Sequence, residues 1–353
     1  MNSGAGGFDS HALPPPPSNL SEFTLREYRP GDEHEILAAF NRIFAAIDPT
    51  FRARTLDFWR WQFLGNPSGS LVLIAVTPEG RVVGQLANVL ARVRLDGREV
   101  TFSQAVDSMS DPAFRLGLRR TSLQALLGNH YAEHYAGPEP GQHALLWGAP
   151  VAAAWRVGRQ LIRYEVIRTQ QKLQARPAEV RAAPHAGVEI EDVERFPDEV
   201  AALFERVVPE HRAIAVRDAR QLDWRFALHP ERRYRIGLSR AHGELRGYAV
   251  FAKGGFDGDP EAGLVCDWLV PPGERDAARA LFAWLAREGE RAGVERLVAV
   301  VPDTASDWIA FQDAGFRVAP TRYTIVGRRS LPGYDMRWMH RHWYYTLGDT
   351  DLV

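Results

Sequence analysis

The sequence predicts an α/β (α+β) protein built from two copies of one unit of about 150 residues each. First, the order of predicted strands and helices starts again halfway along the chain. Second, the pattern W-x-F-x-x-x-P occurs at residues 61–67 and returns at residues 224–230. At the same offset Gly84 corresponds to Gly247, and a little further on Asp107 corresponds to Asp267. Self-similarity at a fixed interval indicates a duplication.

The composition narrows the classes of function. The 353 residues carry 43 basic and 44 acidic side chains, so the net charge is -1 and we expect neither nucleic acid nor an anionic membrane as partner. The single cysteine, Cys266, excludes an intrachain disulfide framework and fits a reducing compartment. No apolar stretch approaches the roughly 20 residues of a membrane span, and the first residues do not resemble a signal peptide. We therefore expect a cytoplasmic protein.

The first unit is predicted to cover residues 22–173, after a disordered tail at residues 1–21 that is rich in glycine, serine and proline. Alternation of apolar residues predicts strands, spacing of three and four residues predicts helices, and Gly, Pro and Asp-Gly signals separate them. The predicted elements are a strand at 23–28, helices at 36–47 and 56–64, strands at 71–76, 82–93 and 99–109, a helix at 119–135, a strand at 144–147, a helix at 152–157 and a strand at 164–169.

A segment with little periodicity, residues 174–187, is predicted to be a linker. The second unit is predicted over residues 188–330, starting with a strand at 188–190 and helices at 198–208 and 219–228. The remaining residues, 331–353, form a C-terminal tail that is too aromatic for an ordinary solvated end.

Four local motifs, in the same order as in a known superfamily, carry a resemblance. They are Phe-Trp-Arg-Trp at 58–61 before Asn-Pro at 66–67, the segment at 106–115, Leu-Trp-Gly-Ala-Pro at 146–150, and the helical segment at 308–316 that ends in Gly-Phe. Over residues 23–330 the chain resembles the GNAT (GCN5-related N-acetyltransferase) superfamily, and in particular its tandem members. The resemblance implies two GNAT-like domains in tandem, each a mixed, largely antiparallel central sheet flanked by helices.

The resemblance also implies an activity, the transfer of an acetyl or other acyl group from acetyl-CoA or another acyl-CoA to the amine of a small molecule. No metal is implied. In such enzymes a loop that leads into a helix offers N–H groups to the CoA pyrophosphate, and a splayed fourth strand stabilises the oxyanion of the thioester. A base must leave the amine neutral, and an acid, often tyrosine, must protonate the thiolate.

The resemblance assigns the cofactor site to the first unit. The N–H groups of Met109 and Ser110 would face the thioester. The phosphates would lie on a loop made of Arg115, Leu116, Gly117, Leu118, Arg119, Arg120 and Thr121. Its glycine falls one position early, and the two neighbouring arginines can compensate through charge-assisted hydrogen bonds. The corresponding loop of the second unit, residues 270–276, has no matching glycines and carries two carboxylates, so we expect it not to bind CoA.

The groups that move protons have more than one interpretation. Asp107 is a candidate base, or else a solvated or capping carboxylate. The C-terminal tail can dock between the domains and supply Tyr344, Asp351 or the Val353 carboxylate, by analogy with related multi-domain acetyltransferases, or it can be a packing strap without catalytic duty. Where the family often has a tyrosine, this chain has Trp155 and Phe311, which are not useful proton donors.

Two rival functions remain open at this stage. The altered loop and the missing tyrosine favour a non-catalytic GNAT-like binding module, whereas the aromatic tail favours an enzyme. An acyltransferase that uses a carrier-protein thioester is a further alternative. The motif H-x-x-E-H at residues 130–134 matches a zinc pattern, but nothing near it in the sequence suggests a third ligand. Of the tryptophans at helical spacing, Trp59 or Trp61 is a candidate to line an acceptor pocket.

Overall fold

The computed structural model describes residues 23–114, 122–183 and 186–352. The predicted disordered tail therefore lies outside the described residues. In the first half of the chain the elements follow the predicted order. They are β1 (Thr24–Glu27), α1 (Asp32–Ala45), α2 (Leu56–Phe63), β2 (Ser70–Val76), β3 (Val82–Leu95), β4 (Arg98–Ser110), α3 (Leu123–His134), β5 (His143–Gly148), α4 (Ala152–Val157) and β6 (Glu165–Ala175).

The second half repeats this order with one added short strand between its first two helices, and it ends in the tail. Its elements are β7 (Val188–Val193), α5 (Val200–Val207), β8 (Ala213–Ala215), α6 (Ala219–Leu222), β9 (Arg235–Ala241), β10 (Glu244–Phe256), β11 (Asp259–Leu269), α7 (Arg275–Ala292), β12 (Leu297–Ala299), α8 (Ser306–Asp313), β13 (Arg317–Arg329), α9 (Met336–His342) and β14 (Trp343–Tyr344). A π-helical turn, Asp223–Ala227, continues α6, so together they cover most of the helix predicted at 219–228.

One continuous mixed sheet joins the two halves. Its strand order is β1-β2-β3-β4-β5-β13-β6-β12-β11-β10-β9-β7. The counterparts in the two halves are β1 and β7, β2 and β9, β3 and β10, β4 and β11, β5 and β12, and β6 and β13. When counterparts are treated as equivalent, the strand order is the same read from either end of the sheet. The halves are thus related by an approximate twofold axis between β6 and β13, in agreement with the repeat in the sequence.

The two strands at the centre are exchanged between the halves. β13 lies against β5 of the first half, with Val326 opposite Gly148, while β6 lies against β12 of the second half, with Ala175 opposite Leu297. β6 extends two residues past the predicted start of the linker. Each half of the sheet is therefore completed by a strand from the other half.

The tail belongs to the core that the halves share. The first half has its own cluster, where Phe40 and Trp59 pack onto β2–β4. A larger cluster contains side chains of both halves and of the tail, among them Phe102, Tyr248 and Trp343. Burial of this aromatic surface holds the C-terminal segment between the halves. Among the described helices, none is both long and apolar enough to cross a membrane.

Candidate functional site

The site begins where β4 and β5 separate. These strands run parallel from Thr101 opposite His143 to Gln104 opposite Trp147, and β4 then continues to Ser110 paired with β3 but no longer with β5. The pairing of β3 with β4 is irregular between Gln85 and Ala87, next to Asp107. Asp107 has φ 49°, a left-handed conformation that aspartate tolerates better than most residues. This irregularity lies beside the opening between the strands.

Arg54 holds the Asp107 side chain. Its Nη1 donates a hydrogen bond to Asp107 Oδ2, and its guanidinium lies 4.6 Å from the ring centre of Phe40 and 4.8 Å from that of Phe58. The Thr55 hydroxyl caps the next helix, α2, by accepting from the N–H of Phe58 at 3.2 Å. Burial raises the pKa of Asp107 above its usual range, while the charge of Arg54 opposes that shift.

The C-terminal tail brings a second carboxyl group to the same place. Gln104 Nε2 donates to Asp351 Oδ1 at 2.7 Å. Although Asp351 is exposed to solvent as a whole residue, desolvation of its carboxyl and then the negative charge of Asp107 raise the pKa of Asp351 to about 6. The carboxyl groups of Asp107 and Asp351, here called the carboxylate pair, are therefore close enough for the charge of Asp107 to influence the ionisation of Asp351.

Arg225 of the second half fixes the tail in this position. Its Nε donates to the carbonyl of Gly348 at 2.8 Å, and its Nη2 donates to the carbonyl of Thr350 at 3.1 Å. Gly348 has no room for a side chain, because a Cβ there would lie 2.7 Å from the ring of Phe226. The backbone can therefore pass close to Phe226 on its way to Asp351.

The carboxylate pair lines a cavity of about 410 Å³ between the halves. Aromatic side chains from both halves and the tail form much of its wall, namely Phe58, Trp61, Phe102, Trp147, Trp224, Phe226, His229 and Trp343. Trp61 and Trp224 are counterparts in the repeat, and each indole N–H donates to the carbonyl of the other at 2.8 Å. Their rings stack at 5.2 Å, so the repeated tryptophans join the two halves at the cavity.

His229 contributes a neutral ring to this wall. Its ring centre lies 4.3 Å from that of Trp61, and its Nδ1 accepts from the backbone N–H groups of Glu231 and Arg232 at 3.2 and 3.0 Å. Burial and then the charges of Arg225 and Arg232 lower the pKa of His229 to about 3. The ring proton is thus on Nε2, and His229 is unsuited to act as a base at neutral pH.

The second half has the same Arg–Asp pair, which also lines the cavity but is more fully buried. Arg217 and Asp267 correspond to Arg54 and Asp107, and they form a buried ion pair at 3.2 Å. The tail adds Asp349, which accepts from Arg217 Nη2 at 2.6 Å, and the Tyr248 hydroxyl donates to Asp267 at 2.8 Å. Every charge in this cluster is therefore paired within the protein.

An aromatic side chain fills the corresponding end of β11. Trp268 is almost fully buried, stacks on Phe282 of α7 at 4.6 Å and meets the edge of Phe311 at 5.1 Å. Ser108 is the counterpart of Trp268 in the first half. The packing of three rings leaves this end of β11 occupied by protein, whereas in the first half Ser108 is exposed and Asp107 beside it lines the cavity.

The structure brings together two of the three predicted catalytic candidates, Asp107 and Asp351. The third, Tyr344, is buried on the side of the second half, where its hydroxyl donates to the carbonyl of Trp268 at 3.1 Å. It does not line the cavity. Its ring fills space between β8 and β11, so the geometry gives it a packing position rather than access to the carboxylate pair.

The predicted cofactor residues divide into two groups. Met109 and Ser110 end β4, where Gln124 of α3 donates to the Met109 carbonyl at 2.6 Å and to the Ser110 hydroxyl at 3.1 Å. Arg115, Leu116, Gly117, Leu118, Arg119, Arg120 and Thr121 lie outside the described residues, as does the Val353 carboxylate. Within the described ranges no group of three or more His, Cys, Asp or Glu side chains is arranged to hold a metal.

Sequence reasoning missed Arg54 and Gln104. A signal for Arg54 was present, because Arg217 follows it by the same interval as Trp224 follows Trp61, and each arginine precedes a matching aspartate. Gln104 had no such signal, since its role depends on where the tail docks. Of the two tryptophans considered for an acceptor pocket, Trp61 lines the cavity and Trp59 is buried beneath α2.

Comparison with known proteins identifies the fold. No protein-family model matches the chain, and no curated protein sequence matches it. A GCN5-related N-acetyltransferase from Anabaena variabilis superposes with a TM-score of 0.63 at 12% identity, covering 88% of this chain and 73% of that chain. A tandem GNAT protein from the clavulanic acid biosynthesis pathway gives 0.54 at 16% identity, covering 88% of this chain and 100% of that one.

N-myristoyltransferase from Saccharomyces cerevisiae with bound myristoyl-CoA is also similar, with a TM-score of 0.54 at 11% identity over 88% of this chain and 83% of that chain. At such identities the likeness establishes the fold alone. The predicted fold class is therefore confirmed, because the chain has a GNAT-type fold and matches a tandem member along its length.

Proposed function

We propose that this chain is an N-acyltransferase that moves an acyl group from acyl-CoA to the amine of a small molecule. The observation that carries the proposal is the carboxylate pair, which stands in an open cavity beside the place where β4 leaves β5. The pair is built from a strand of the first half and from the C-terminal tail, so the fold has brought two distant aspartates to one point.

The first half is the proposed catalytic half. A thioester carbonyl placed at the end of β4 would meet the backbone of Met109 and Ser110, whose N–H groups are the proposed stabilisers of the oxyanion. The loop at residues 115–121 is the proposed phosphate site, since it joins β4 to α3 as the cofactor loop does in this fold. The second half is the proposed structural half, because Trp268 occupies the matching position.

The carboxylate pair is the proposed general base. An ammonium group enters the cavity and gives one proton to Asp351, whose pKa of about 6 makes it a carboxylate at neutral pH. The neutral amine attacks the thioester carbonyl, a C–N bond forms and the C–S bond breaks. The nitrogen loses a second proton as the CoA thiolate becomes a thiol. One amide, one CoA thiol and one proton leave the site.

The first experiment is a calorimetric titration of the full chain with acetyl-CoA and with free CoA. We expect binding near micromolar affinity, about -8 kcal/mol, and loss of that binding in Arg115→Ala. A panel of acyl-CoA chain lengths belongs in the same experiment, because one structural neighbour holds myristoyl-CoA. Absence of heat and of thermal stabilisation with every thioester would contradict CoA-dependent catalysis. The alternatives would then be an acyltransferase that uses a carrier-protein thioester and a non-catalytic binding module.

The second experiment follows thiol release with amines as acceptors. Asp351→Asn removes the proposed base and should slow the reaction without weakening acetyl-CoA binding. Glu165→Gln is a matched control, since Glu165 is an exposed carboxylate on β6 that does not line the cavity. Equal rates in both variants would show that Asp351 is not the base.

A further inference from the structure

One arginine of the cavity wall keeps a charge that the described part of the protein does not balance. The arginines that form an ion pair with an aspartate are Arg54, Arg92 and Arg217. Arg225 donates to two backbone carbonyls of the tail. Arg232 also lines the cavity and is half-buried, but among the described residues it has no carboxylate within ion-pair distance and no side-chain hydrogen bond. A partly buried cation is stabilised by an anionic partner, so a ligand can supply what the wall does not.

The carboxylate next to Arg232 in the sequence has another partner. Glu231 lines the cavity too, but its Oε1 accepts a hydrogen bond from the Thr55 hydroxyl of the first half at 2.9 Å. Glu231 is exposed, so solvent screens its charge. The backbone N–H of Arg232 donates to His229 Nδ1 at 3.0 Å, which places the start of the Arg232 side chain beside the aromatic wall. Arg232 is therefore a cation of the cavity wall whose neighbouring carboxylate does not form an ion pair with it.

The open edge of the Arg232 guanidinium fits a carboxylate. Its Nη1 is enclosed by protein atoms, whereas Nε and Nη2 are neither enclosed nor bonded to another described residue. The guanidinium lies over Gly254 of β10, where a Cβ would come within 3.1 Å of Nη2 and 3.2 Å of Cζ, so the missing side chain leaves room for it. Arg212 uses the same Nε and Nη2 edge to hold both oxygens of Asp96, at 2.7 and 2.9 Å. A ligand carboxylate can bind Arg232 through the same two contacts.

We infer that the acceptor carries a carboxylate in addition to its amine, and that this carboxylate binds the Nε and Nη2 edge of Arg232. The inference rests on the acyl transfer proposed for the same cavity, because that proposal places the amine at Asp351. Asp351 and Arg232 line one cavity of about 410 Å³, which is within the range of small-molecule sites. The acceptor class is thus an amino acid, with its two charged ends at Asp351 and Arg232.

The test is binding of matched probes to the full chain by calorimetry at pH 7.5, with and without saturating free CoA. Each amino acid is compared with an amine in which methyl or hydrogen replaces the carboxylate. The pairs are β-alanine with propylamine, 4-aminobutyrate with butylamine, 6-aminohexanoate with hexylamine, and L-phenylalanine with 2-phenylethylamine. The separation of amine and carboxylate differs among the pairs, so the series measures the spacing that the site requires. We expect at least one amino acid to bind at least tenfold more tightly than its matched amine.

Variants of two neighbouring arginines connect this preference to Arg232. Arg232→Gln removes the charge, so it should lower the affinity for the preferred amino acid at least tenfold, to that of the matched amine. Arg233→Gln is the control and should keep the preference, since Arg233 is exposed and does not line the cavity. Thermal unfolding of each variant verifies that the fold is retained. Arg232→Lys keeps the charge and is the milder variant if Arg232→Gln unfolds; it should lose part of the preference, because a single nitrogen replaces the fork.

Three results would overturn the inference. One is that no amino acid binds more tightly than its matched amine. Another is that Arg232→Gln keeps the preference, or that Arg233→Gln loses it to the same extent. The third is tighter binding of O-phosphoethanolamine than of every amino acid in the series, which would assign Arg232 to a phosphate. A preference for an amino acid without thiol release from any acyl-CoA would leave the ligand class standing and contradict the proposed function. Thiol release at the same rate with the plain amines as with the amino acids would do the reverse.

Discussion

Arg54–Asp107 in the first half and Arg217–Asp267 in the second occupy corresponding places in the repeat, but their surroundings differ. In the second half Asp349, Tyr248 and Thr346 satisfy the pair, and Trp268 fills the adjoining space. Both pairs line the cavity, but the first-half pair is less buried, with side-chain exposures of 23% and 12% against 3% and 3%, and Asp351 of the tail is exposed as a whole residue. The tail thus gives one aspartate to each half, two residues apart.

The comparison shows how two copies of one unit can place the same pair of residues in different surroundings. A charge cluster with every partner inside the protein contributes order and gives no room for chemistry. A cluster that is only partly enclosed can keep a carboxyl group with a raised pKa, and such a group can exchange a proton with a ligand. The same pair therefore has a fully enclosed set of partners in one half and takes part in the proposed catalytic site in the other.

The largest expected effect concerns the Arg217–Asp267 pair of the second half. Arg217→Met leaves Asp267 and Asp349 buried without their counter-charge, so the free energy of unfolding should fall by about 3–5 kcal/mol. Arg54→Met should cost only about 1–2 kcal/mol, because its environment is more accessible to water. Urea unfolding of both variants measures the difference. Equal losses would show that the two pairs are not distinguished in this way.

The next effect concerns the aromatic filling of the second half. Trp268→Ser installs the residue that stands in the first half and should lower the free energy of unfolding by about 3–5 kcal/mol, since it empties a packed space. It should not create a second cofactor site, because the loop at 270–276 still carries Glu274 and Asp276. Calorimetric stoichiometry with acetyl-CoA provides the measurement, and two molecules per chain would refute the assignment.

A smaller effect, on rate, separates the two tail aspartates. Asp351→Asn should lower the acyl-transfer rate about 100-fold, in the range for loss of a general base, without lowering the free energy of unfolding. Asp349→Asn should instead destabilise the fold, because it weakens the buried cluster at Arg217. Thiol-release kinetics and thermal unfolding of both variants give the comparison. If both variants lose activity alone, or both lose stability alone, the two aspartates do not have the different roles proposed for them.

The pH dependence of the rate sharpens the role of Asp351. Its pKa of about 6 means that the carboxylate needed as base is protonated below that pH. At saturating donor and acceptor the rate should fall about tenfold for each pH unit below 6. This fall in rate below pH 6 should be missing from the residual activity of Asp351→Asn. A wild-type profile that stays flat down to pH 5 would argue against this base.

The smallest effect is on stability. Because folding raises the pKa of Asp351 from its usual value near 3.9, the folded state favours the protonated carboxyl. The protonated Asp351 carboxyl therefore makes its full contribution to stability at pH values below its usual pKa near 3.9. That contribution is lost as the pH rises through about 6. Asp351→Asn should raise the melting temperature at pH 7.5 and leave it unchanged at pH 3.5. A lower melting temperature at pH 7.5 would contradict the sign.

Much of the fold could be predicted from local pattern. The repeated W-x-F-x-x-x-P motif indicated the duplication, and in the structure its two tryptophans, Trp61 and Trp224, contact each other. The exchange of β6 and β13 could not be predicted. Alternation of apolar residues indicates that a strand is buried but does not specify which strand it pairs with.

The site was predictable only in part for a similar reason. Asp107 follows from its place on the fourth strand and Asp351 from the unusual composition of the tail. Their meeting depends on Gln104 and Arg225, which hold the tail through contacts between residues far apart in sequence. Tyr344 shares the tail and has suitable chemistry, yet its docked position faces the other half. Composition gave the candidates, and tertiary packing selected among them.

The strand exchange also sets the order of events during synthesis. β5 is finished at Gly148, but its partner β13 ends only at Arg329. At typical elongation rates of 5–20 residues per second, that edge waits roughly 10–40 s for its neighbour. An unpaired edge of this kind invites pairing with other chains. Asp351 is synthesised later still, so the nascent chain gains its proposed catalytic pair only after both halves have been made.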